Sequence, residues 1–199
     1  MAKLYFRYGA MGSSKTANAL MVRYNYVERG SKAYLLKPKL ENRDGDKVIR
    51  SRVGMEEECG FVEDFINEIG EDWEKAKIYD AVIVDEAQFL SEDQVDWFSD
   101  LVDFAGIPVI CYGLRTDFRS SLFPGSKRLL EIADKIEEVK TVCWCGHKAT
   151  NNARIHDGKV IRDGEQVVMG GNESYVALCR KHFKLGQLSD TGKVRPGED

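Results

Sequence analysis

Apolar residues follow two alternating patterns through residues 3–142. Short apolar runs, typical of buried strands, alternate with longer segments in which apolar residues recur every three or four positions, as on one face of a helix. Strands that alternate with helices predict an α/β domain with a mostly parallel sheet. The predicted strands are Leu4–Tyr8, Lys32–Pro38, Ala81–Val84, Pro108–Leu114 and Ile136–Val142. The predicted helices are about Thr16–Arg29, Phe61–Trp73, Ser91 (as N-cap) to about Ala105, and a short helix around Leu129–Ala133, while the polar segment Glu41–Gly54 is a predicted loop.

The pattern changes after about Thr141, where the chain becomes rich in cysteine, asparagine, glycine and charged residues. Two alternating runs, Lys159–Arg162 and Gln166–Met169, flank an Asp-Gly-Glu turn and predict a hairpin. From Ser189 onward the chain lacks a core pattern, which is typical of disorder. The predicted organisation is a main domain over residues 1–141, a small domain over 142–188 and a disordered tail over 189–199.

Charge and composition argue against several classes of function. The net charge of −4 and the isoelectric point near 5.5 do not suit a protein that grips nucleic acid chiefly by charge. The N-terminal residues include no long apolar segment, so we expect no signal peptide, no membrane partner and a cytoplasmic location. In that compartment the five cysteines are expected to be reduced or metal-bound rather than paired in disulfides.

The segment between the first predicted strand and the first predicted helix has the layout of a phosphate-binding loop. Backbone N–H groups of such a loop surround an anion, and the helix N-terminus adds its positive dipole. Lys15 would reach the β- and γ-phosphates of a nucleotide, and the Thr16 hydroxyl would bind Mg²⁺. The alternative is a tight turn before a helix, since this chain has Ser14 where the standard phosphate-loop pattern has glycine. The candidate ATP and Mg²⁺ residues here are Gly9, Ala10, Met11, Gly12, Ser13, Ser14, Lys15 and Thr16.

A second signature follows the predicted strand Ala81–Val84, where Asp85 and Glu86 come directly after the apolar run. Ligands bind at the carboxyl edge of an open parallel sheet, and in proteins with a phosphate loop an aspartate at this place helps to hold Mg²⁺. Neighbouring residues of a strand point to opposite sides. One carboxylate can therefore serve the metal while the other acts as a base, and the alternative is an acidic, solvated loop.

Three cysteines and a histidine near the end of the chain have the spacing of metal ligands. Cys143 and Cys145 form a Cys-x-Cys pair, and Cys179 and His182 form a Cys-x-x-His pair. Four such ligands fill a tetrahedral zinc site and leave no open position, which predicts a structural zinc. The alternative is a set of reduced, buried cysteines beside a surface histidine.

Four aromatic residues lie beside these motifs and could form a slot for a flat base: Phe89, Phe118, Phe123 and Tyr175. Packing in a core is the alternative, as for most aromatic side chains.

Together these motifs resemble the cytosolic-type (type II) thymidine kinases over roughly residues 3–188. The stretches that carry the resemblance are Gly9–Thr16, Val84–Phe89, Tyr112–Arg119, and Gly170–Tyr175 leading to Cys179–His182. The resemblance implies a RecA-like P-loop α/β domain and a small zinc-binding domain whose lasso loop closes over the nucleoside. It implies transfer of the ATP γ-phosphate to the 5′-hydroxyl of thymidine or deoxyuridine, with Mg²⁺, a structural Zn²⁺, a homotetramer and feedback inhibition by dTTP.

The resemblance also assigns roles to single residues. Glu86 matches the general base, and Asp85 matches the second-motif carboxylate, with Gln88 beside it in the ATP–Mg²⁺ site. Tyr175 matches the lasso tyrosine over the nucleoside. The family often has Asp-x-Arg where this chain has Glu41-Asn42-Arg43. The residues matched to the nucleoside site are Met11, Arg43, Phe89, Leu114, Phe118 and Phe123, together with the lasso backbone at Gln166, Val167, Val168, Met169 and Gly170.

Two other functions are compatible with a phosphate loop. The acidic charge disfavours an ATP-driven nucleic-acid-binding protein with a zinc ribbon, and the sequence lacks the Asn-Lys-x-Asp motif of a GTPase. The sequence therefore predicts a deoxynucleoside kinase, in which the lasso excludes water from the transferred phosphate.

Overall fold

The computed structural model describes residues 1–41, 47–166 and 174–189. The chain forms two compact units, each with an apolar core of its own. Unit 1 contains Met1–Tyr8, Ser14–Arg115 and Phe123–Val139, and unit 2 contains Gly9–Ser13, Thr116–Leu122 and the described residues from Lys140 onward. The domain boundaries predicted at residues 141 and 188 stay predictions.

Unit 1 is built on a six-stranded sheet in which every pairing is parallel, so the predicted α/β class is confirmed. The strands of unit 1 are β1 (Leu4–Tyr8), β2 (Ala33–Lys37), β3 (Val48–Arg50), β4 (Glu56–Glu58), β5 (Gly60–Phe61), β6 (Ala81–Val84), β7 (Val109–Gly113) and β8 (Lys135–Glu138). Its helices are α1 (Lys15–Glu28), α2 (Val62–Ile69), α3 (Trp73–Ala76), α4 (Glu92–Asp100) and α5 (Pro124–Ile132). The spatial order of the sheet is β5-β2-β6-β7-β1-β8, with β3 and β4 forming a separate antiparallel pair.

The central strand β6 shows why the sheet folds with helices on both faces. Alternate residues of a strand point to opposite sides. Val82 and Val84 belong to the core that contains residues of α2 and α4, whereas Ala81 and Ile83 belong to the core that contains residues of α1. All four side chains are buried. A strand covered on both faces reads as one continuous apolar run, and its carboxyl end delivers Asp85 to the edge of the sheet.

Unit 2 has its own small apolar core around Ala153, Leu178 and Phe183. Its three-stranded sheet has the order β12-β11-β13 and is antiparallel. The elements are β9 (Thr141–Val142), β10 (Lys148–Ala149), β11 (Asn151–His156), β12 (Lys159–Ile161), β13 (Ser174–Leu178) and α6 (Arg180–Leu185). Strands β9 and β10 form a second, two-stranded hairpin.

The predicted helices are confirmed in type, with changes at their ends. The helix predicted over Phe61–Trp73 stops at Ile69, because Gly70 adopts a φ of 57° that leaves the helical region. Ser91 caps α4 as predicted: its hydroxyl accepts from the N–H of Gln94 at 3.1 Å, and the Gln94 side chain accepts from the N–H of Ser91 at 3.0 Å. The predicted continuation to Ala105 is a π-helical segment, Leu101–Ala105.

Two predictions about strands and loops are wrong. The segment predicted as a loop, Glu41–Gly54, contains β3, which pairs with β4. Strand β4 consists of three glutamates and shows no apolar alternation, so the hydrophobic pattern could not reveal this hairpin. The strand predicted over Ile136–Val142 ends at Glu138, and Thr141 and Val142 belong instead to the β9–β10 hairpin of unit 2.

The strand predicted over Lys159–Arg162 forms a hairpin with the strand before it, not with Gln166–Met169 as predicted. Strand β12 pairs with β11 through a turn at Asp157 and Gly158, whose φ values are 48° and 71°. Two successive positive φ values are what a two-residue Asp-Gly hairpin turn requires. Residues 167–169 of the predicted partner lie outside the described residues, as do 190–199 of the predicted tail.

Among the described residues, no helix combines the length and the apolar character that crossing a membrane would require.

Candidate functional site

The predicted phosphate loop forms a turn that leads directly into α1. The turn needs two left-handed residues, Gly12 at a φ of 71° and Ser14 at a φ of 60° and ψ of 27°. Helix α1 begins at the next residue, Lys15, whose side chain is buried. The carbonyl of Ser14 accepts from the backbone N–H of Asn18 at 2.9 Å and from its side-chain amide at 2.8 Å. The predicted strand–loop–helix arrangement is therefore present.

Unit 1 brings Thr16 and Asp85 together at the carboxyl end of β6. The Thr16 hydroxyl donates a hydrogen bond to the buried Asp85 carboxylate. Burial, followed by repulsion from the Glu86 carboxylate, raises the pKa of Asp85 to about 7. The hydrogen bond from Thr16 and the charge of Lys15 oppose that shift. Hydroxyl and carboxylate oxygens are ligands that suit Mg²⁺, and a cation between them would favour the ionised form of Asp85.

Glu86 sits in a strained backbone conformation and is oriented by Gln88. Its φ of 52° and ψ of 35° lie in the left-handed region, which non-glycine residues rarely adopt. Its half-buried carboxylate accepts a hydrogen bond from Nε2 of Gln88. Oε1 of Gln88 in turn accepts from the backbone N–H of Leu114 at 2.9 Å. Both ends of the buried Gln88 carboxamide are thus engaged, which fixes the side on which Glu86 presents its carboxylate.

Close packing around Gln88 requires glycine at position 113. A Cβ on Gly113 would lie 2.9 Å from both the backbone nitrogen and Oε1 of Gln88. Gly125 meets the same constraint, because a Cβ there would lie 2.6 Å from the carbonyl of Leu90. The turn Ala87–Leu90 therefore packs too closely against the end of β7 and the start of α5 for any other residue type at positions 113 and 125.

Two of the predicted base contacts meet in unit 1. The rings of Phe89 and Phe123 pack edge to face, with centroids 5.8 Å apart and planes at 82°. The carbonyl of Leu114 accepts from the Ser126 hydroxyl at 2.5 Å. Phe123 precedes α5 and is buried, whereas Phe89 and Leu114 are half-buried.

Two other predicted base contacts meet in unit 2, around an arginine that the sequence did not single out. The guanidinium of Arg154 lies 3.9 Å from the ring centroid of Phe118, and its Nε donates to the hydroxyl of Tyr175 at 2.7 Å. Its Nη1 donates to the carbonyl of Glu165 at 3.0 Å. Arg154 is only 2% exposed. It therefore links Phe118, Tyr175 and the chain just before residue 167.

The four predicted metal ligands converge in unit 2. The ligand atoms of Cys143, Cys145, Cys179 and His182 all lie within 4.8 Å of one another. The Cys145 and Cys179 sulfurs are 3.9 Å apart, close to the roughly 3.8 Å that tetrahedral zinc–sulfur bonds of about 2.3 Å impose. A hydrogen bond from the His182 backbone N–H leads the effects that lower the pKa of the Cys179 thiol. The group fits zinc in both donor chemistry and spacing.

Comparison with known proteins decides among the functions that this geometry allows. Residues 2–183 match the sequence profile of the family described as thymidine kinase. The chain belongs to the thymidine kinase family. A thymidine kinase of Legionella pneumophila (strain Lens) is 46% identical over 201 residues, which cover 99% of this chain and 95% of that protein. One of Haemophilus influenzae (strain Rd) is 46% identical over 194 residues, and one of Novosphingobium aromaticivorans is 47% identical over 197 residues; each match covers 94% of this chain and 100% of the relative.

Among solved structures, a DNA replication initiation factor matches with a TM-score of 0.42 and 17% identity, over 69% of this chain and 40% of that chain. A similarity this low has no bearing on function.

Several residues expected at a thymidine kinase site lie outside the described residues. They are Arg43, Val167, Val168, Met169 and Gly170. Gln166 is described, and its side-chain amide donates to the buried Asp117 carboxylate at 3.1 Å. Asp117 lies within the stretch Tyr112–Arg119 but received no role of its own, and Arg154 was not predicted, since buried charged residues in a loop and a strand leave no periodic signal.

Replacing Ser14 with glycine is expected to stabilise the protein slightly. An L-residue in the left-handed region costs roughly 1–2 kcal/mol, and the greater freedom of glycine in the unfolded chain returns about 0.5–1 kcal/mol. Ser14→Gly should therefore raise the free energy of unfolding by up to about 1.5 kcal/mol and change the Kd of ATP by less than about tenfold. Urea unfolding and calorimetric titration measure the two quantities.

The matched control is Ser13→Gly, since Ser13 is buried and its φ is not positive. That variant should be less stable than the parent. A Ser14→Gly protein that is less stable than the parent would show that the left-handed backbone at position 14 does not cost stability. A Kd for ATP that changes by more than about a hundredfold would show that the serine contacts the phosphates in a way that this geometry does not require.

Removing the Tyr175 hydroxyl is expected to destabilise unit 2. In Tyr175→Phe the Nε of Arg154 loses its hydrogen bond to the Tyr175 hydroxyl, and a hydrogen bond to a charged group contributes about 1.5–3 kcal/mol. Denaturant unfolding should show a loss of that size. Tyr24→Phe, at a tyrosine 60% exposed on α1, should have no measurable effect. Equal stability of both variants would mean that Arg154 does not depend on Tyr175.

Proposed function

We propose that the protein is an ATP-dependent thymidine kinase that transfers the γ-phosphate of ATP to the 5′-hydroxyl of thymidine or deoxyuridine. The observation that carries the proposal is the pair of carboxylates after β6. One is buried and bonded to Thr16 of the phosphate loop, and the other is half-buried and aimed by Gln88. This division of labour suits phosphoryl transfer, which needs charge stabilisation and a correctly placed acceptor.

The phosphate loop and Asp85 would bind the phosphates of ATP and the Mg²⁺ ion. Lys15 and the loop N–H groups would neutralise the charge that spreads over the transferred phosphoryl group. Thr16 and Asp85 would hold Mg²⁺, which when bound draws charge from the β- and γ-phosphate oxygens. The remaining loop residues assigned to ATP contribute backbone rather than side-chain chemistry.

Glu86 would act on the acceptor, the 5′-hydroxyl of the nucleoside. A carboxylate within hydrogen-bond reach of the 5′-hydroxyl accepts its proton as the oxygen attacks phosphorus. The strained backbone of Glu86 and its bond to Gln88 support this role, because both restrict where the carboxylate can lie. We assign Gln88 an orienting role for Glu86, beside its predicted place in the ATP–Mg²⁺ site.

Aromatic and apolar side chains would hold the base. The edge-to-face pair Phe89–Phe123 and Leu114 supply apolar surface in unit 1. In unit 2, Phe118 and Tyr175 are held by Arg154. Met11, Arg43 and the lasso backbone at residues 166–170 complete the proposed nucleoside contacts.

Zinc is proposed as a structural ion held by Cys143, Cys145, Cys179 and His182. Support comes from the spacing of these ligands and from Trp144, whose ring stacks on His182 with centroids 4.2 Å apart and restricts the imidazole. Four protein ligands leave no position for a substrate, so the ion would tie β9–β10 to α6 rather than take part in the reaction.

Assembly, regulation and location are also proposals. Met21, Tyr24 and Val27 form an exposed apolar strip along α1, which supports association into the homotetramer that the resemblance to type II thymidine kinases implies. Feedback inhibition by dTTP would follow if the triphosphate occupies both the nucleoside and the phosphate contacts. We further propose a cytoplasmic enzyme.

A panel of acceptors tests the proposed function. The protein is incubated with ATP and Mg²⁺ together with thymidine, deoxyuridine, deoxycytidine or single-stranded DNA, and the products are separated. We expect monophosphates of thymidine and deoxyuridine, each matched by an equal amount of ADP. ADP formation that single-stranded DNA stimulates and thymidine does not would instead support the ATP-driven nucleic-acid-binding protein.

A further inference from the structure

Asn152 bonds to two segments that are distant from it in the sequence. Its Oδ1 accepts from the backbone N–H of Met11 at 2.8 Å, and its Nδ2 donates to the carbonyl of Thr116 at 2.9 Å. The side chain is buried in β11, and all three residues belong to unit 2. A buried carboxamide with both ends bonded holds its two partners at a fixed separation, because releasing either partner leaves an unpaired polar group.

The first partner belongs to the phosphate loop. In such loops the backbone N–H groups surround the phosphates, but the N–H of Met11 is committed to Asn152. The conformation of the segment Gly9–Ser13 therefore depends on a side chain outside the loop. A hydrogen bond from the N–H of Ser13 to the carbonyl of Ala10, at 3.2 Å, passes this constraint along the turn.

The second partner opens the segment Thr116–Leu122, which contains Phe118. The buried Asp117 carboxylate braces this segment by accepting from the backbone N–H groups of Arg119 and Ser121, at 2.8 and 2.9 Å. Because the segment is braced internally, a displacement of Phe118 displaces Thr116 with it. The proposed function places a nucleoside base against Phe118, so Thr116 responds to the nucleoside.

We propose that Asn152 is a positioning residue that couples nucleoside binding to ATP binding by joining Thr116 to Met11. The proposal rests on the proposed function, since it needs a nucleoside at Phe118 and a nucleotide at the phosphate loop. A nucleoside that fixes the position of the braced segment Thr116–Leu122 also fixes the position of Gly9–Ser13 through Asn152, so the ATP that binds next has less positional freedom to remove. By linkage, each ligand then raises the affinity for the other by the same factor.

Calorimetric titration of the full chain with AMPPNP and Mg²⁺, with and without saturating thymidine, measures this factor. In the parent protein we expect thymidine to lower the Kd of AMPPNP by about fivefold or more. In Asn152→Leu, which is close in size but lacks both hydrogen bonds, the ratio should fall to within about twofold of one. Asn152→Asp gives a second route should the leucine variant fold poorly. Its carboxylate can still accept from Met11 but cannot donate to Thr116, and its charge acts on AMPPNP equally with and without thymidine.

The matched control is Asn151→Leu. Asn151 is the neighbouring residue in β11, and its Nδ2 donates to Ser120 of the same segment at 2.9 Å. It should keep the parental ratio, whereas a loss of coupling in both variants would overturn a specific role for Asn152.

Thymidine-dependent ADP formation is measured in the same preparation. If that activity is absent, the proposed function fails. If thymidine-dependent activity is present, two results would overturn the role of Asn152 and leave the proposed function standing. One is that the Asn152 variants keep the parental ratio of AMPPNP Kd values, and the other is that thymidine does not change the Kd of AMPPNP in the parent.

Discussion

Glu86→Gln is expected to lower kcat for thymidine phosphorylation by about 10²–10⁴-fold, the usual contribution of a general base. Glutamine has nearly the same shape and can still accept the hydrogen bond from Gln88, but it cannot take the 5′-hydroxyl proton. The Kd values of ATP and thymidine should stay close to those of the parent. Single-turnover kinetics with excess enzyme separate the chemical step from product release.

Glu86→Asp is the matched control for this loss. It keeps a carboxylate but withdraws it by one methylene, so its kcat should lie between those of the parent and of Glu86→Gln. Equal turnover in the parent and in Glu86→Gln would place the base elsewhere, and Asp85 would be the first residue to examine.

Cys145→Ser is expected to remove zinc and to destabilise unit 2 strongly. The parent should contain one zinc per chain, because four ligands converge on a single point. Where a metal site is structural, its binding free energy contributes directly to folding. A loss of several kcal/mol corresponds to a fall in Tm of roughly 10 °C or more at about 2–4 °C per kcal/mol for a chain of this size. Elemental analysis and calorimetry measure the two effects.

His147→Ala is the matched control for the zinc site. His147 is exposed, and its Nδ1 lies 3.5 Å from the Cys145 sulfur, yet it does not belong to the converging group. The variant should keep both zinc and Tm. Freshly prepared, reduced parent protein that contains no zinc would refute the assignment of the four ligands.

The sequence predicted the α/β fold because its strands and helices carry strong periodic signals. Ala81–Val84 is apolar at every position since β6 is covered on both faces, and Ser91 marks the start of α4 through its capping bond. The hairpin β3–β4 was missed because its second strand is three glutamates. The β11–β12 hairpin was missed although its turn, Asp157-Gly158, is one of the strongest hairpin signals available.

For the candidate site, the sequence predicted the residues whose chemistry shows in a local motif. Lys15, Asp85 and the four metal ligands each stand at a recognisable spacing. Asn152 and Arg154 were missed because they act through tertiary contacts, with Met11 and Phe118, that no local pattern encodes. In the sequence, Ser14 stands out only because the phosphate-loop motif has glycine at that position. The structure gives the physical reason for the glycine, a left-handed φ of 60° at Ser14.

Transfer of labelled phosphate tests directly whether the protein phosphorylates the 5′-hydroxyl of thymidine. The protein is incubated with ATP labelled at the γ-phosphate, with Mg²⁺, and with thymidine or with 5′-deoxythymidine, which keeps the base and sugar but lacks the acceptor hydroxyl. We expect label in thymidine 5′-monophosphate and none in any nucleotide product when 5′-deoxythymidine replaces thymidine. Label released only as inorganic phosphate, at the same rate with either nucleoside or with neither, would show that the protein does not transfer phosphate to the 5′-hydroxyl.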